Sequence, residues 1–180
     1  DVVRLKRVFR YLKGSPRAYF TFDWQQPQHL IEGMCDSDWA GCTKTRKSTS
    51  GGVILSGKHT LMHWSSTQTI VSLSSAEAEL NASVKMISEA LGVRNLYREM
   101  GMPKSVVVKT DSSACNGILH REGCGKVKHL ETRQLWTQSH VASKAVDVQE
   151  VPRDLNVSDC LTHHWNSSDG YRHFKSIGLE

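Results

Sequence analysis

The sequence predicts an α/β chain built on a mixed five-stranded sheet, three antiparallel strands and then β-α-β crossovers, with helices on both faces. Two observations carry this. Three extended segments follow one another between about residues 28 and 66, and beyond them apolar strands alternate with segments of helical spacing. At 180 residues, 38% hydrophobic and 23% charged, the chain suits one domain with a sizeable core rather than a disordered segment.

The first segment sets Val2, Leu5, Val8 (or Phe9) and Leu12 at helical spacing, and Gly14 and Pro16 stop it. A short strand, "AYFTFDW" (18–24), follows. Residues 28–35, "QHLIEGMC", read as the first central strand. A polar basic loop, "CTKTRKS" (42–48), leads to strands over 49–57 and 59–66, turned at Ser56-Gly57-Lys58. A long helix is expected over 75–100. Ser74 and Glu77 match the Ser-x-x-Glu capping box, and Leu80, Val84, Ile87, Leu91 and Val93 or Leu96 form one apolar stripe. Gly101 and Pro103 end that helix. "SVVVKTD" (105–111) is a buried type of strand with a charged tip. Short helices over 112–120 and 129–143 come next, the second with Leu135 and Val141 or Trp136 and His140 facing inward. Residues 145–152 form the last strand, and "SDCLTHH" (158–164) a last short helix.

The formal net charge of +5 favours a polyanionic partner, and its distribution says more than its total. Residues 1–17 carry Arg4, Lys6, Arg7, Arg10, Lys13 and Arg17 against Asp1 alone, and Lys44, Arg46 and Lys47 form a second basic cluster. Each cluster taken alone reads equally well as a solvated face. No apolar run approaches the roughly 18–20 residues of a membrane span, so no membrane is expected, and with a polyanion as partner no small-molecule substrate is expected either. The start at Asp1, with no Met and no signal-like segment, leads to the expectation of a piece of something longer. Five irregularly spaced cysteines with no CxxC argue against a disulfide framework and fit a reducing, intracellular compartment. Cys160, His163 and His164 supply half of a zinc site at most.

The acids carry the chemistry. In "MCDSDWAG" (34–41), Asp36 and Asp38 would share one face of a regular strand. Asp36 and Asp111 end two strands expected to be parallel neighbours, Glu79 sits one turn into the long helix, and Asp159 opens the last one. Any one of them reads as a cap or turn residue. Four gathered at one sheet end do not, because clustered carboxylates repel unless a cation lies between them. Hard divalent ions suit carboxylate oxygens, and two such ions can drive phosphodiester displacement. The residues thus point to a metal-dependent nuclease, with the basic loop of Lys44, Arg46 and Lys47 and the basic first helix supplying phosphate contacts, and Ser75 and Ser112 as further candidate nucleic-acid contacts. Asp38 is expected just past the regular strand, in a loop hydrogen bond or a supporting role. Trp39 is expected to pack beneath the site, a stacking contact to nucleic acid being the alternative.

"CDSDWAG", "TRKSTSGGVILSG", "HWSSTQTIVSLSSAEAEL", "KTDSSA", "VKHLETR" and "VPRDLNVSDCLT", in this order, resemble the ribonuclease H domain of copia-type LTR retrotransposon polyproteins. The resemblance covers about residues 1–163. It implies a ribonuclease H-like fold that cuts the RNA strand of RNA–DNA hybrids with two Mg²⁺ ions, Mn²⁺ being the alternative. It also implies a reverse transcriptase in the same polyprotein and a cytoplasmic virus-like particle or the nucleus as the setting. Residues 1–27 would be the end of the reverse transcriptase or its connection, 28–165 the ribonuclease H-like domain and 166–180 a tail of unknown role. By motif the four acids are Asp36, Glu79, Asp111 and Asp159. The resemblance selects Glu79 over Glu77, which spacing alone decides weakly. It assigns Asp36 to both ions, Glu79 and Asp111 to the leaving-group side, and Asp159 to the ion that delivers water.

There are departures. Cellular ribonucleases H carry a mobile histidine shortly before the last aspartate, whereas 149–158 has none. His163 and His164 follow Asp159 instead, where copia-type sequences more often show a Thr-Lys pair. Among rivals, "GCTKTRKS" (41–48) has Arg46 where a phosphate loop needs its second glycine. "TDSS" (110–113) lacks the second copy an aspartic protease needs, and no GxSxG is present. An integrase or transposase would order its acids Asp, Asp, then Glu. A decayed binding module would keep the basic surface without cleavage.

Overall fold

The computed structural model describes residues 2–123, 132–163 and 167–179. Its strands are β1 (Leu30–Asp38), β2 (Thr49–Ser56), β3 (His59–Thr67), β4 (Ser105–Thr110) and β5 (Asp147–Glu150). They form one sheet in the order β3-β2-β1-β4-β5. β1, β2 and β3 pair antiparallel, and β4 pairs parallel with both β1 and β5, the mixed sheet the sequence predicts. The helices are α1 (Val2–Gly14), α2 (Ser75–Glu99), α3 (Ser113–Leu119), α4 (Thr132–Ala142) and α5 (Ser167–Ser176), with a 3₁₀ helix over Val157–Leu161.

Two glycines show how helices reach both faces. A Cβ on Gly33 of β1 would lie 2.4 Å from the Met86 sulfur, so α2 seats directly on that face. Gly51 of β2 pairs with Asp36 of β1. A Cβ there would lie 2.8 Å from the Ser158 carbonyl and 2.9 Å from Thr162 Cγ2. Strand side chains alternate, and Gly33 and Asp36 are an odd number of residues apart. The 3₁₀ helix therefore lies on the face opposite α2, with α5 packed against it. On the α2 face, Leu80, Met86, Ile87 and Ala90 pack with Ile31, Ile54 and Val108 as the core. Burial of a side chain the size of Leu or Ile contributes about 1.5–3 kcal/mol.

Several expectations need correction. "AYFTFDW" forms no strand and contributes one isolated bridge, Phe20 with Leu179. β1 continues past residue 35 to Asp38, because Asp36, Ser37 and Asp38 pair with Gly51, Ser50 and Thr49. α2 matches its expected span, but its buried stripe runs through Ala82, Ser83, Met86 and Ala90 as well as Leu80, Ile87 and Leu91, while Leu96 is exposed. The stripe turns because a helix lying across a twisted sheet presents different positions along its length. Of the pairs expected on the inner face of α4, Val141 packs against the core and Leu135 is half-buried, but polar residues make up most of that face. Gln134, Thr137 and Gln138 lie inward, and Trp136 stacks on His140 at the surface, centroids 4.3 Å apart. Those buried amides are tolerated because they are bonded, Gln138 Nε2 donating to the Ile118 carbonyl at 2.9 Å. The last short helix is a 3₁₀ turn ending at Leu161, and α5 follows it in the tail. The loop over 124–128 and His164 lie outside the described residues.

Gly51→Ala is expected to lower stability by roughly 1–3 kcal/mol, since the new methyl meets backbone that cannot swing aside. Urea unfolding of the two proteins checks this, and an unchanged midpoint would mean that the 3₁₀ helix does not sit on β2.

Candidate metal centre

The parallel register of β1 and β4 sets Met34 beside Lys109. Two residues further on, Asp36 near the end of β1 faces Asp111, the residue directly after β4. Glu79 reaches the same sheet end from α2, and Asp159 from the 3₁₀ helix. One carboxylate oxygen from each of Asp36, Glu79 and Asp111 lies within 4.8 Å of the others. A second group, Asp36, Asp159 and His163, meets the same limit, so Asp36 belongs to both.

Asp36, Glu79 and Asp159 are held by neighbours. The Ser37 backbone N–H and hydroxyl both donate to Glu79 Oε1, at 3.1 Å each. The start of α2 is fixed by Ser74, whose hydroxyl accepts the Glu77 N–H at 3.2 Å. Glu77 closes the cap on the Leu73 N–H at 2.7 Å, one residue earlier than the Ser-x-x-Glu pattern predicts. Gln68 ties that turn to the sheet, donating to Ser50 Oγ at 2.9 Å and to the Ala78 carbonyl at 2.8 Å. On the other face, buried Asn156 donates to the Cys35 carbonyl at 3.0 Å and accepts the Ser158 hydroxyl at 2.6 Å. That amide locks the 3₁₀ helix to β1 next to Asp36. Thr162 donates its hydroxyl to Asp36 Oδ2. Arg153 donates to Asp159 Oδ1 at 3.2 Å, and His163 Nε2 lies 3.4 Å from that oxygen.

Burial is the main cause that raises the Asp36 carboxyl above the usual carboxylate range. Thr162 lowers it, and Asp111 and Asp159 raise it again. Glu79 is pushed up to about 8, by burial first and then by the charge of Asp36. Arg153 is raised by attraction to Asp159. Beneath the acids, Ser83 Oγ lies 3.4 Å from Cys35 Sγ and 3.3 Å from Cys115 Sγ. Burial raises both thiols, Cys115 to about 12, which makes them packing residues rather than nucleophiles.

This donor set fits divalent cations. Asp36 and Asp159 are each only 4% exposed, yet their oxygens stand among other carboxylates. Glu79 Oε2 is buried with no hydrogen-bond partner among the described residues, an expensive state for a carboxylate unless a cation takes it. The oxygens are hard donors of the kind that hold Mg²⁺ with several waters retained.

The remaining expected residues fall as follows. Asp38 ends β1 rather than lying beyond it, and its carboxylate accepts the Thr49 N–H across the β1–β2 turn. Trp39 does not pack beneath the site. Its ring is half-exposed and its indole N–H donates to the Ser72 carbonyl at 3.0 Å, because the strand has ended and the residue rides on the turn. Lys44 and Arg46 are exposed and Lys47 half-buried in that turn, at the sheet end that carries the acids. Ser75 is exposed in the first turn of α2. Ser112 caps α3, its hydroxyl accepting the Cys115 N–H at 3.2 Å. Cys160 is buried and bonded to the Val157 carbonyl at 3.1 Å, so it faces no zinc partner among the described residues. Arg153, Asn156 and Thr162 were not singled out by the sequence. Thr162 stood three residues after Asp159, a spacing that places side chains together on a helical turn. Nothing in the sequence ties Arg153 or Asn156 to the site.

No protein-family model matches the chain. Over 164 residues, 88% of the chain, it is 27% identical to the retrovirus-related Pol polyprotein from transposon TNT 1-94 of Nicotiana tabacum. Over 165 residues, again 88% of the chain, it is 30% identical to the corresponding polyprotein from transposon RE2 of Arabidopsis thaliana. The chain spans only 12% and 11% of the length of these relatives. Among solved structures, LC11-RNase H1, isolated from compost by a metagenomic approach, superposes with a TM-score of 0.52 at 18% identity, covering 74% of this chain and 93% of that one. The chain has the ribonuclease H fold. Its relatives include Pol polyproteins of plant transposons, and the short segment of them that it matches corresponds to this ribonuclease H-fold unit. No helix among the described residues is long and apolar enough to cross a membrane.

In EDTA, stability of this ribonuclease H-fold chain is expected to fall as pH rises from about 5 to 8. Over that window the folded chain keeps the Glu79 proton while the unfolded chain, with a carboxyl near its ordinary 4.5, has lost it. Fewer protons bound in the unfolded state make the slope negative. Urea midpoints at several pH values check this, and Glu79→Gln should flatten the slope.

Proposed function

We propose that the chain is a metal-dependent endonuclease that hydrolyses the RNA strand of RNA–DNA hybrids during retrotransposon reverse transcription. The observation that carries this reading is the pair of donor groups that share Asp36 at the carboxyl ends of two parallel strands. Ligands gather at such strand ends in open α/β sheets. The Pol relatives support the retroelement setting and a reverse transcriptase as covalent neighbour. In this reading residues 1–27 join that enzyme, 28–165 form the nuclease, and 166–180 are a tail whose helix braces the 3₁₀ turn.

Two Mg²⁺ ions, or Mn²⁺, bound there would lower the pKa of a bound water and offset charge on the leaving oxygen. Asp36 would hold both, Glu79 and Asp111 the one on the leaving-group side, and Asp159 the one on the water side. The chain's own contribution is positional. Ser37 fixes the plane of the Glu79 carboxylate, and Thr162 fixes that of Asp36. Lys44, Arg46 and Lys47, with Ser75 and Ser112, meet phosphates of the hybrid. Contacts of that kind set register without reading sequence, so cleavage has little sequence preference.

With labelled hybrid and Mg²⁺, the wild-type chain is expected to cut the RNA strand, EDTA to stop it, and Asp36→Asn or Asp111→Asn to reduce cutting to background. Asp38→Asn should only weaken it, since that carboxylate braces the turn and holds no ion. Salt-sensitive binding with no cleavage under any divalent ion would replace the nuclease with a binding module. Joining of donor DNA ends without hybrid cleavage would replace it with a strand-transfer enzyme.

Replacing Lys44, Arg46 and Lys47 together by alanine should weaken hybrid binding and flatten its dependence on salt. The log–log slope should drop by roughly 0.7–0.9 for each phosphate that the protein no longer neutralises. Fluorescence anisotropy across a salt series gives both quantities.

A further inference from the structure

The donor group on the Asp159 side is not made of carboxylates alone. His163 Nε2 lies 3.4 Å from Asp159 Oδ1 and 4.0 Å from Asp36 Oδ2. Two donors sharing one ion at about 2.1 Å each stand roughly 3–4 Å apart. The lone pair of that nitrogen also faces the right way. Arg153 Nη2 lies 3.2 Å from His163 Nε2 and 3.2 Å from Asp159 Oδ1. A guanidinium can only donate, so Nε2 accepts, which leaves the proton on Nδ1. The imidazole and carboxylate therefore converge on one positive group. Arg153 is two-thirds exposed, so its side chain can swing into water when another cation takes these donors.

We propose that His163 is a nitrogen ligand of the Asp36–Asp159 ion, and that it makes this half of the centre prefer a transition-metal divalent ion over Mg²⁺. The proposal rests on the two-ion reading above and extends it. Carboxylate, carbonyl and water suit Mg²⁺, whereas imidazole favours first-row transition ions. The Glu79–Asp111 half offers oxygen alone, so the two halves differ in the ion they select. His163 sits on the turn directly after the 3₁₀ helix, four residues beyond Asp159, and Asn156 anchors that helix to β1. The ligand is thus placed by backbone rather than by a mobile loop. Glu79 and Asp111 stand outside the donor group that holds His163.

The test uses Mn²⁺ and Mg²⁺ on the full chain without nucleic acid. Pulsed electron paramagnetic resonance of the Mn²⁺ form should show coupling to an imidazole ¹⁴N, and His163→Gln should abolish it. Calorimetric titration should show the ratio of Mn²⁺ to Mg²⁺ affinity falling about tenfold in His163→Gln, with Mg²⁺ affinity within about twofold of wild type. Mn²⁺ binding that depends on Asp36 but shows no ¹⁴N coupling, or an unchanged affinity ratio, overturns the nitrogen ligand and leaves the carboxylate centre standing. Absence of any Mn²⁺ or Mg²⁺ binding that Asp36→Asn weakens overturns both.

Discussion

Parallel pairing of β1 with β4 brings two carboxylates to adjacent strand ends, and most of the rest of the structure answers that one crowding. Neighbouring strands lie about 4.8 Å apart. With Met34 in register with Lys109, the side chains of Asp36 and Asp111 cannot avoid each other's field. Glu79 and Asp159 then close in from opposite faces of the sheet. Burial is the main cause of the upward shifts of Asp36 and Glu79, and each added acid raises the cost of ionising the others further. Such an arrangement is unfavourable in isolation. It becomes favourable only with positive charge at its centre, and the Arg153 guanidinium stands at the Asp159 edge of the cluster.

Holding charged groups in place against that repulsion takes rigid supports, and these are polar. Ser37, Thr162, Asn156, Gln68 and Ser72 are uncharged groups placed so that each fixes an acid or the backbone beside it. A network of this kind costs little while every member is satisfied and a great deal when one is removed. It also explains why polar Gln134, Thr137 and Gln138 line the inner face of α4. Gln134 Nε2 donates to Asn81 Oδ1 at 3.1 Å, and Asn81 donates to Ser72 Oγ at 3.2 Å, so α4 extends the brace that holds the start of α2.

Two close approaches let both faces contribute. Gly33 admits α2 and Gly51 admits the 3₁₀ helix, each where a single methyl would collide. The site is therefore a product of both layers meeting over the sheet end. The ribonuclease H fold supplies the sheet, while the two glycines decide how near its acids can come.

Much of this was legible in the chain itself. Alternation and helical spacing located all five strands and α2, and Ser74 marked the start of α2. The acids could be picked because each stood at the end of an element, and several motif blocks in one order pointed to one family. What the sequence could not decide was whatever depends on contact across the fold. Asp38 stays within β1 because its partner Thr49 lies on another strand. The inner face of α4 is mostly polar because its partners are distant in sequence. Trp39 turned outward once pairing ended beside it. Arg153 and Asn156 carry no local sign of their roles, since a hydrogen bond to a residue more than a hundred positions away, such as Asn156 to Cys35, leaves no periodic trace. The sequence by itself determined which elements form and which acids cap them. Tertiary structure alone decided the distances at which Asp36 stands in both donor groups, and that one of the groups would include an imidazole. Those facts rest on distances set by packing, and periodicity along the chain encodes direction and burial, not distance.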